Sequence, residues 1–126
     1  MLNTPPVFAV YVAMLTLRWL KKIGGVPAIE KLNDEKANLF YNTLDSLPIF
    51  KGPIAKEDRS KMNAVFIMVN AELEKEFLEL CNKENMIGVK GHRSVGGFRV
   101  SMYNAMQLES VKAITDLMKD FANKKG

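Results

Sequence analysis

The chain has a single cysteine, Cys81, so no disulfide can close within it, and a lone thiol points to a reducing compartment. Cys81 lies four residues after Phe77, on the apolar side of a predicted helix, which suits a buried structural thiol better than a nucleophile. His92 is the only histidine, and one imidazole with one thiol does not make a zinc site. Long hydrophobic runs are missing too. The apolar stretch Val7 to Leu17 is too short to span a bilayer. It also lacks the basic flank and small-residue cleavage site of a signal peptide, so the chain reads as cytoplasmic with no membrane partner. The charge excess is slight, 18 basic against 14 acidic residues for a net +4. Its lysines are spread along helical stretches rather than clustered, which argues against a nucleic-acid partner. What remains is an ordinary globular composition, 48% apolar over 126 residues. That is enough for one domain, or one domain with an appendage. There is no internal repeat and no low-complexity stretch.

Thr4-Pro5-Pro6 reads as a helix start, with Thr4 as hydroxyl cap and prolines where no donor is needed. The helix is expected to run to about Ile23 and stop at Gly24-Gly25. Its Val7, Phe8, Val10, Tyr11, Val12, Met14, Leu15 and Leu17 cover every side, so it needs cover on all sides or expects a partner surface. A second helix is predicted from near Pro27 to about Leu44. Its inner stripe is Ile29, Leu32, Leu39, Phe40 and Leu44, with Lys31, Glu35 and Lys36 outside. Pro48 and Lys51-Gly52-Pro53 break the pattern, with a short strand around Ile49. Asn63 to Val69 is nearly continuous in apolar character and reads as a central strand. Asn70 can cap a helix whose inner face is Leu73, Phe77, Leu80 and Cys81. Met86 to Lys90 and Phe98 to Tyr103 read as two more strands. A last helix is expected from Gln107 to Asn123, with Leu108, Val111, Ile114, Met118 and Phe121 inward. The order ααββαββα predicts an α+β fold, a largely antiparallel sheet with helices on one face.

Between the last two predicted strands lies Lys90-Gly91-His92-Arg93-Ser94-Val95-Gly96-Gly97-Phe98-Arg99. It gathers the one histidine, two arginines and three of the eight glycines into ten residues. Glycine permits tight turns and close approach, and guanidinium forks match carboxylate and phosphate. Alternation along Phe98 to Tyr103 turns Phe98, Val100 and Met102 toward the helices and Arg99 and Ser101 to the opposite face. Arg99 is then placed to grip a planar anion, with His92 and Arg93 near a second one such as phosphate. The same spacing also suits a plain surface hairpin whose glycines serve the turn and whose charges serve solubility. An RNA-binding strand would use similar residues, but paired stacking aromatics are lacking and the element order differs from that module.

With Asn3-Thr4-Pro5-Pro6, Trp19 before Gly24-Gly25, Arg59-Ser60-Lys61-Met62-Asn63 and Tyr103-Asn104-Ala105-Met106, the segment makes a set of separated blocks. Together they resemble, in order and spacing, the phosphoserine aminotransferases, pyridoxal-phosphate enzymes of the class V aminotransferase group. The resemblance runs from Leu2 to Phe121 and is to the family's C-terminal third. It implies a connecting helix over residues 1–25 and a small C-terminal domain over 26–126 of a fold-type I enzyme. Met1-Leu2 resembles the residues just before the family's Asn-Thr-Pro-Pro, and so corresponds to an internal methionine. The resemblance also implies that the Schiff-base lysine belongs to a large domain not included here, so the chain alone is expected to be inactive and to hold no catalytic residue. Asn3 and Thr4 are implied to contact the cofactor phosphate in a neighbouring subunit of a homodimer. His92 and Arg93 are implied to hold the substrate phosphate across the same interface, and Arg99 the α-carboxylate. The implied reaction moves the amino group of glutamate to 3-phosphohydroxypyruvate, giving phosphoserine for serine biosynthesis. Gln107 departs from the family, which commonly has proline there. The competing reading is a free-standing oligomerisation or anion-binding module, motivated by the uniformly apolar first helix.

Overall fold

The computed structural model describes residues 3–92 and 96–125. Its contacts divide into one unit up to Leu32 and a second from Asn33 onward. In the first unit, helix α1 (Val7–Lys22) starts later than the cap motif suggests. Pro6 is the N-cap and no side chain caps the helix. A residue that precedes proline is driven out of the α region. Pro6 therefore holds Pro5 outside the helix, and Thr4 is left too far from its first turn to cap it. The helix ends at Ile23, followed by Gly24 with φ of 109°, where a left-handed residue is tolerated because there is no Cβ. Lys21 and Lys22 sit in the last turn, where cations complement the helix dipole. No side chain of α1 is buried, and Phe8 is 80% exposed.

Helix α2 (Gly25–Ser46) begins two residues before the proline expected to open it. It leads into the second unit, which contains strands β1 (Phe50–Lys51), β2 (Asn63–Met68) and β3 (Phe98–Ser101) and helices α3 (Glu74–Lys83) and α4 (Leu108–Lys125). The strands form an antiparallel sheet in the order β1-β2-β3. The observed order is thus ααββαβα, still α+β. The strand expected at Met86–Lys90 reduces to a single bridge from Lys90 to Phe98. Left-handed backbone at Asn85 (φ 59°) and Gly88 (φ 82°) folds that stretch into turns before a strand can form.

In β2 the burial alternates strictly, with Ala64, Phe66 and Met68 inward. Phe66 pairs with Phe98 and Ala64 with Val100, which puts Phe98 and Val100 on that same inner face. Phe66 is the hub of the core. It stacks on Phe98 at 4.9 Å and meets Phe40, Phe50 and Phe77 edge to face. Phe40 and Leu44 of α2, Phe77 and Cys81 of α3, and Val111, Ile114, Met118 and Phe121 of α4 close over this face. Asn70 accepts from Glu72 N at 3.0 Å. It thereby caps a short 3-10 turn, Ala71–Leu73, that leads into α3. Three burial expectations need correction. Leu32 and Leu108 are exposed, at 43% and 36%, whereas Lys36, expected outside, is 2% exposed.

Candidate functional site

The site is organised by β3. Its Phe98 is driven into the core, so Arg99 emerges on the other face, exposed, opposite Val65 of β2. The strand is fixed on its outer side by Arg99 N donating to Val89 O at 2.7 Å. The Arg99 guanidinium makes no ion pair among the described residues. A cavity of about 670 Å³ lies along this edge, between Arg99 and Ser101 of β3, Ile87 and Val89 of the preceding turn, and Val111 and Ile114 of α4.

The loop ahead of Arg99 is closed by its own backbone. Gly91 N donates to Gly97 O at 2.8 Å, and Gly96 N donates to His92 O at 2.9 Å. Two of its positions demand glycine. At Gly97 (φ 61°) a Cβ would stand 2.7 Å from the Phe66 carbonyl oxygen and 2.8 Å from Ile67 Cγ2. At Gly91 a Cβ would run into the carbonyl of Gly96. His92 is exposed at the loop's start. Arg93, with Ser94 and Val95, lies outside the described residues. Asn3 and Thr4 are exposed, just ahead of α1, and belong to the first unit. His92 and Arg99 therefore share one loop-and-strand module.

The blocks at 59–63 and 103–106 prove to be braces. Arg59 grips Asp45 with both terminal nitrogens, at 2.8 and 2.9 Å, and lies 4.8 Å above the Tyr41 ring. Lys56 adds a third contact to Asp45 at 3.0 Å. The hydrogen bonds from Arg59, with Lys56 assisting, hold the Asp45 carboxyl down at about 2, and the same pairing raises the Arg59 pKa. Burial raises the Tyr41 phenol, whose hydroxyl donates to Ser60 O at 2.8 Å. Asn63 accepts from Ser101 Oγ at 3.1 Å and donates to the Tyr103 hydroxyl at 3.2 Å. The end of β3 is thus sewn to β2 on the face that carries Arg99.

Lys36 was missed by sequence reasoning. Its ammonium donates to the carbonyls of Met102, Tyr103 and Met106, at 3.2, 2.8 and 3.2 Å. Burial lowers its pKa. One signal was available: Ile29, Asn33, Lys36, Phe40 and Leu44 fall at helical spacing on one stripe, and all five are buried. Asn33, one turn earlier, donates to Asn104 Oδ1 at 2.8 Å. The Tyr103-Asn104-Ala105-Met106 block is therefore a turn held from α2. Among the described residues there is no group of three potential metal ligands and no helix long and apolar enough to cross a membrane.

The aminotransferase class-V family profile matches residues 1–114. A phosphoserine aminotransferase of Porphyromonas gingivalis is 53% identical over 98% of this chain and 35% of its own length. One of Flavobacterium johnsoniae is 52% identical, with the same shares covered. Among solved structures, the phosphoserine aminotransferase of Bacillus circulans subsp. alkalophilus superposes with a TM-score of 0.94 at 39% identity, over 98% of this chain and 35% of that one. The pyridoxal-phosphate-bound enzyme of Trichomonas vaginalis gives 0.86 at 40% identity, over 94% and 34%. The chain thus spans about a third of the length of these relatives.

Proposed function

Because the chain belongs to the class-V aminotransferase family, we propose that it is the anion-recognising small-domain portion of a phosphoserine aminotransferase. The parent reaction transfers the amino group of glutamate to 3-phosphohydroxypyruvate, giving phosphoserine and 2-oxoglutarate. The observation that carries this reading is Arg99, an exposed guanidinium without an ion pair among the described residues, on the open face beside a closed glycine loop. A bidentate pair from Arg99 to the substrate α-carboxylate fixes orientation as well as charge. His92 and Arg93 take the substrate phosphate, a tetrahedral group that accepts from imidazole and guanidinium together. Residues 1–25 act as the connecting segment and 26–126 as the small domain.

Pyridoxal phosphate, when bound, supplies the electron sink for moving the amino group. The residues present suit one end of it. Asn3 and Thr4 offer an exposed amide and hydroxyl just before a 16-residue helix, whose N-terminal dipole favours a phosphate. They do not supply its anchoring amine. Lys36, the one buried lysine among the described residues, is fully engaged by three carbonyls. Residues 1–126 alone therefore recognise substrate without turning it over. In the parent, a cytoplasmic homodimer, His92, Arg93, Asn3 and Thr4 serve the neighbouring subunit; no nucleic acid or membrane is a partner.

The test has two arms. Purified chain with phosphohydroxypyruvate, glutamate and pyridoxal phosphate should show no turnover above a blank; turnover abolished by Arg99→Ala would refute inactivity. In NMR titrations, phosphoserine and glutamate should move the Arg99 guanidinium resonance, and carboxylate-blocked esters should not. Equal responses to acid and ester would sink the recognition role.

A second reading is favoured by α1, where Val7, Phe8 and Leu17 are 67%, 80% and 63% exposed. Such a surface suits self-association of the chain. Light scattering should show an oligomer that Phe8→Glu with Leu17→Glu dissolves; a strict monomer at high concentration removes this reading.

A further inference from the structure

Three carbonyl oxygens converge on Lys36 Nζ from one turn of chain, two from consecutive residues and the third from Met106. Three acceptors use all three protons of an ammonium, whereas a neutral amine presents only two. The side chain is shut away from water, at 2% exposure, and forms no ion pair among the described residues. A buried cation compensated only by backbone oxygens is the arrangement by which rings of carbonyls hold monovalent ions. The turn itself is otherwise weakly held. Residues 103–107 are exposed, and within the turn the backbone is joined by Met106 N donating to Tyr103 O at 2.8 Å.

We infer that the carbonyls of Met102, Tyr103 and Met106 form a monovalent-cation site, which the chain fills from within by the tethered ammonium of Lys36. Without a cation the Met102 and Met106 oxygens would lose this shared donor, and Tyr103 O would keep only the Met106 amide. With the cation, the turn between β3 and α4 has one geometry. Lys36 is thus a positioning residue. It fixes the chain three residues beyond Arg99 and, with Asn33 on Asn104, ties that turn to α2.

The site can be opened and refilled. Lys36→Ala keeps Cβ and removes the rest of the side chain, for which n-propylammonium is the matching fragment. Lys36→Met fills the channel with an apolar tail and offers no cation. At neutral pH, Lys36→Ala should melt below the parent chain. Propylammonium chloride should raise its melting temperature saturably and return the amide resonances of Ser101 to Met106 toward their original positions. Tetramethylammonium, a cation without N–H donors, and propan-1-ol, a neutral fragment, should each do much less. Lys36→Met should be destabilised and unresponsive. If Lys36→Ala does not fold in chloride buffer, the same titration is read as recovery of helical circular dichroism. The inference is overturned if Lys36→Met matches the parent in melting temperature and in those resonances. It is equally overturned if propylammonium acts alike on both variants or no better than propan-1-ol. These readouts are independent of the aminotransferase assignment.

Discussion

Replacing Asp45 by Asn tests how much the Arg59 brace is worth. The carboxylate takes both terminal nitrogens of Arg59 and the ammonium of Lys56, and its pKa falls from 3.8 to about 2. A shift of that size corresponds to at most about 2.5 kcal/mol of preference for the charged form. The Asp45 side chain is 31% exposed, so solvent screening reduces this to roughly 1 kcal/mol. The substitution also strands Arg59. That side chain is only 11% exposed, and its Nε has no acceptor among the described residues. A largely buried guanidinium facing an amide costs about 1–2 kcal/mol more. The expected loss is about 2–3 kcal/mol, read as a fall of roughly 1–2 M in the urea midpoint at pH 7. The pH dependence carries the sign. Because the folded-state pKa is depressed, the contribution is present above the unfolded value of 3.8 and lost as pH falls through about 2. The midpoints of parent and Asp45→Asn should therefore converge in acid. Equal midpoints at pH 7, or a gap that persists unchanged toward pH 2, would refute the reasoning.

Phe66→Ala removes the hub of the aromatic cluster and should cost about 3–5 kcal/mol, checked by calorimetry. Gly97→Ala sets a Cβ against the Phe66 carbonyl at positive φ and should cost about 1–3 kcal/mol. It should also speed hydrogen exchange at the Gly91 amide, since Gly97 O is that amide's acceptor. Arg99→Ala, at an exposed position, should leave stability within about 0.5 kcal/mol while abolishing the response to carboxylate ligands.

Much of the scaffold follows from periodicity. Val111, Ile114, Met118 and Phe121 are all buried at the spacing that marked them, and β2 is the central strand its apolar run suggests, although burial alternates along it so that one face meets the core. The same alternation sent Arg99 outward. What escaped was governed by backbone. Met86-Ile87-Gly88-Val89 has the composition of a strand, but left-handed residues at 85 and 88 turn it first. Thr4 has the right side chain for a cap, but Pro6 keeps Pro5 out of the helix, so the N-cap falls at Pro6, two residues further on. Lys36 escaped because its acceptors are carbonyls 66–70 residues away, and a carbonyl leaves no trace in the residue code. A charged residue is therefore assigned to solvent unless its place on the buried stripe is given more weight than its charge.

Cys81 gives this core a built-in clock. The thiol is fully buried, and burial pushes its pKa up to about 11, so in the closed protein it has neither access nor thiolate to offer a reagent. Modification must wait for α3 to part from the sheet and α4. Since the chain holds no other cysteine, the labelling rate reports that single event. Divided by the rate for an unfolded thiol, it reads directly the fraction of time the core stands open.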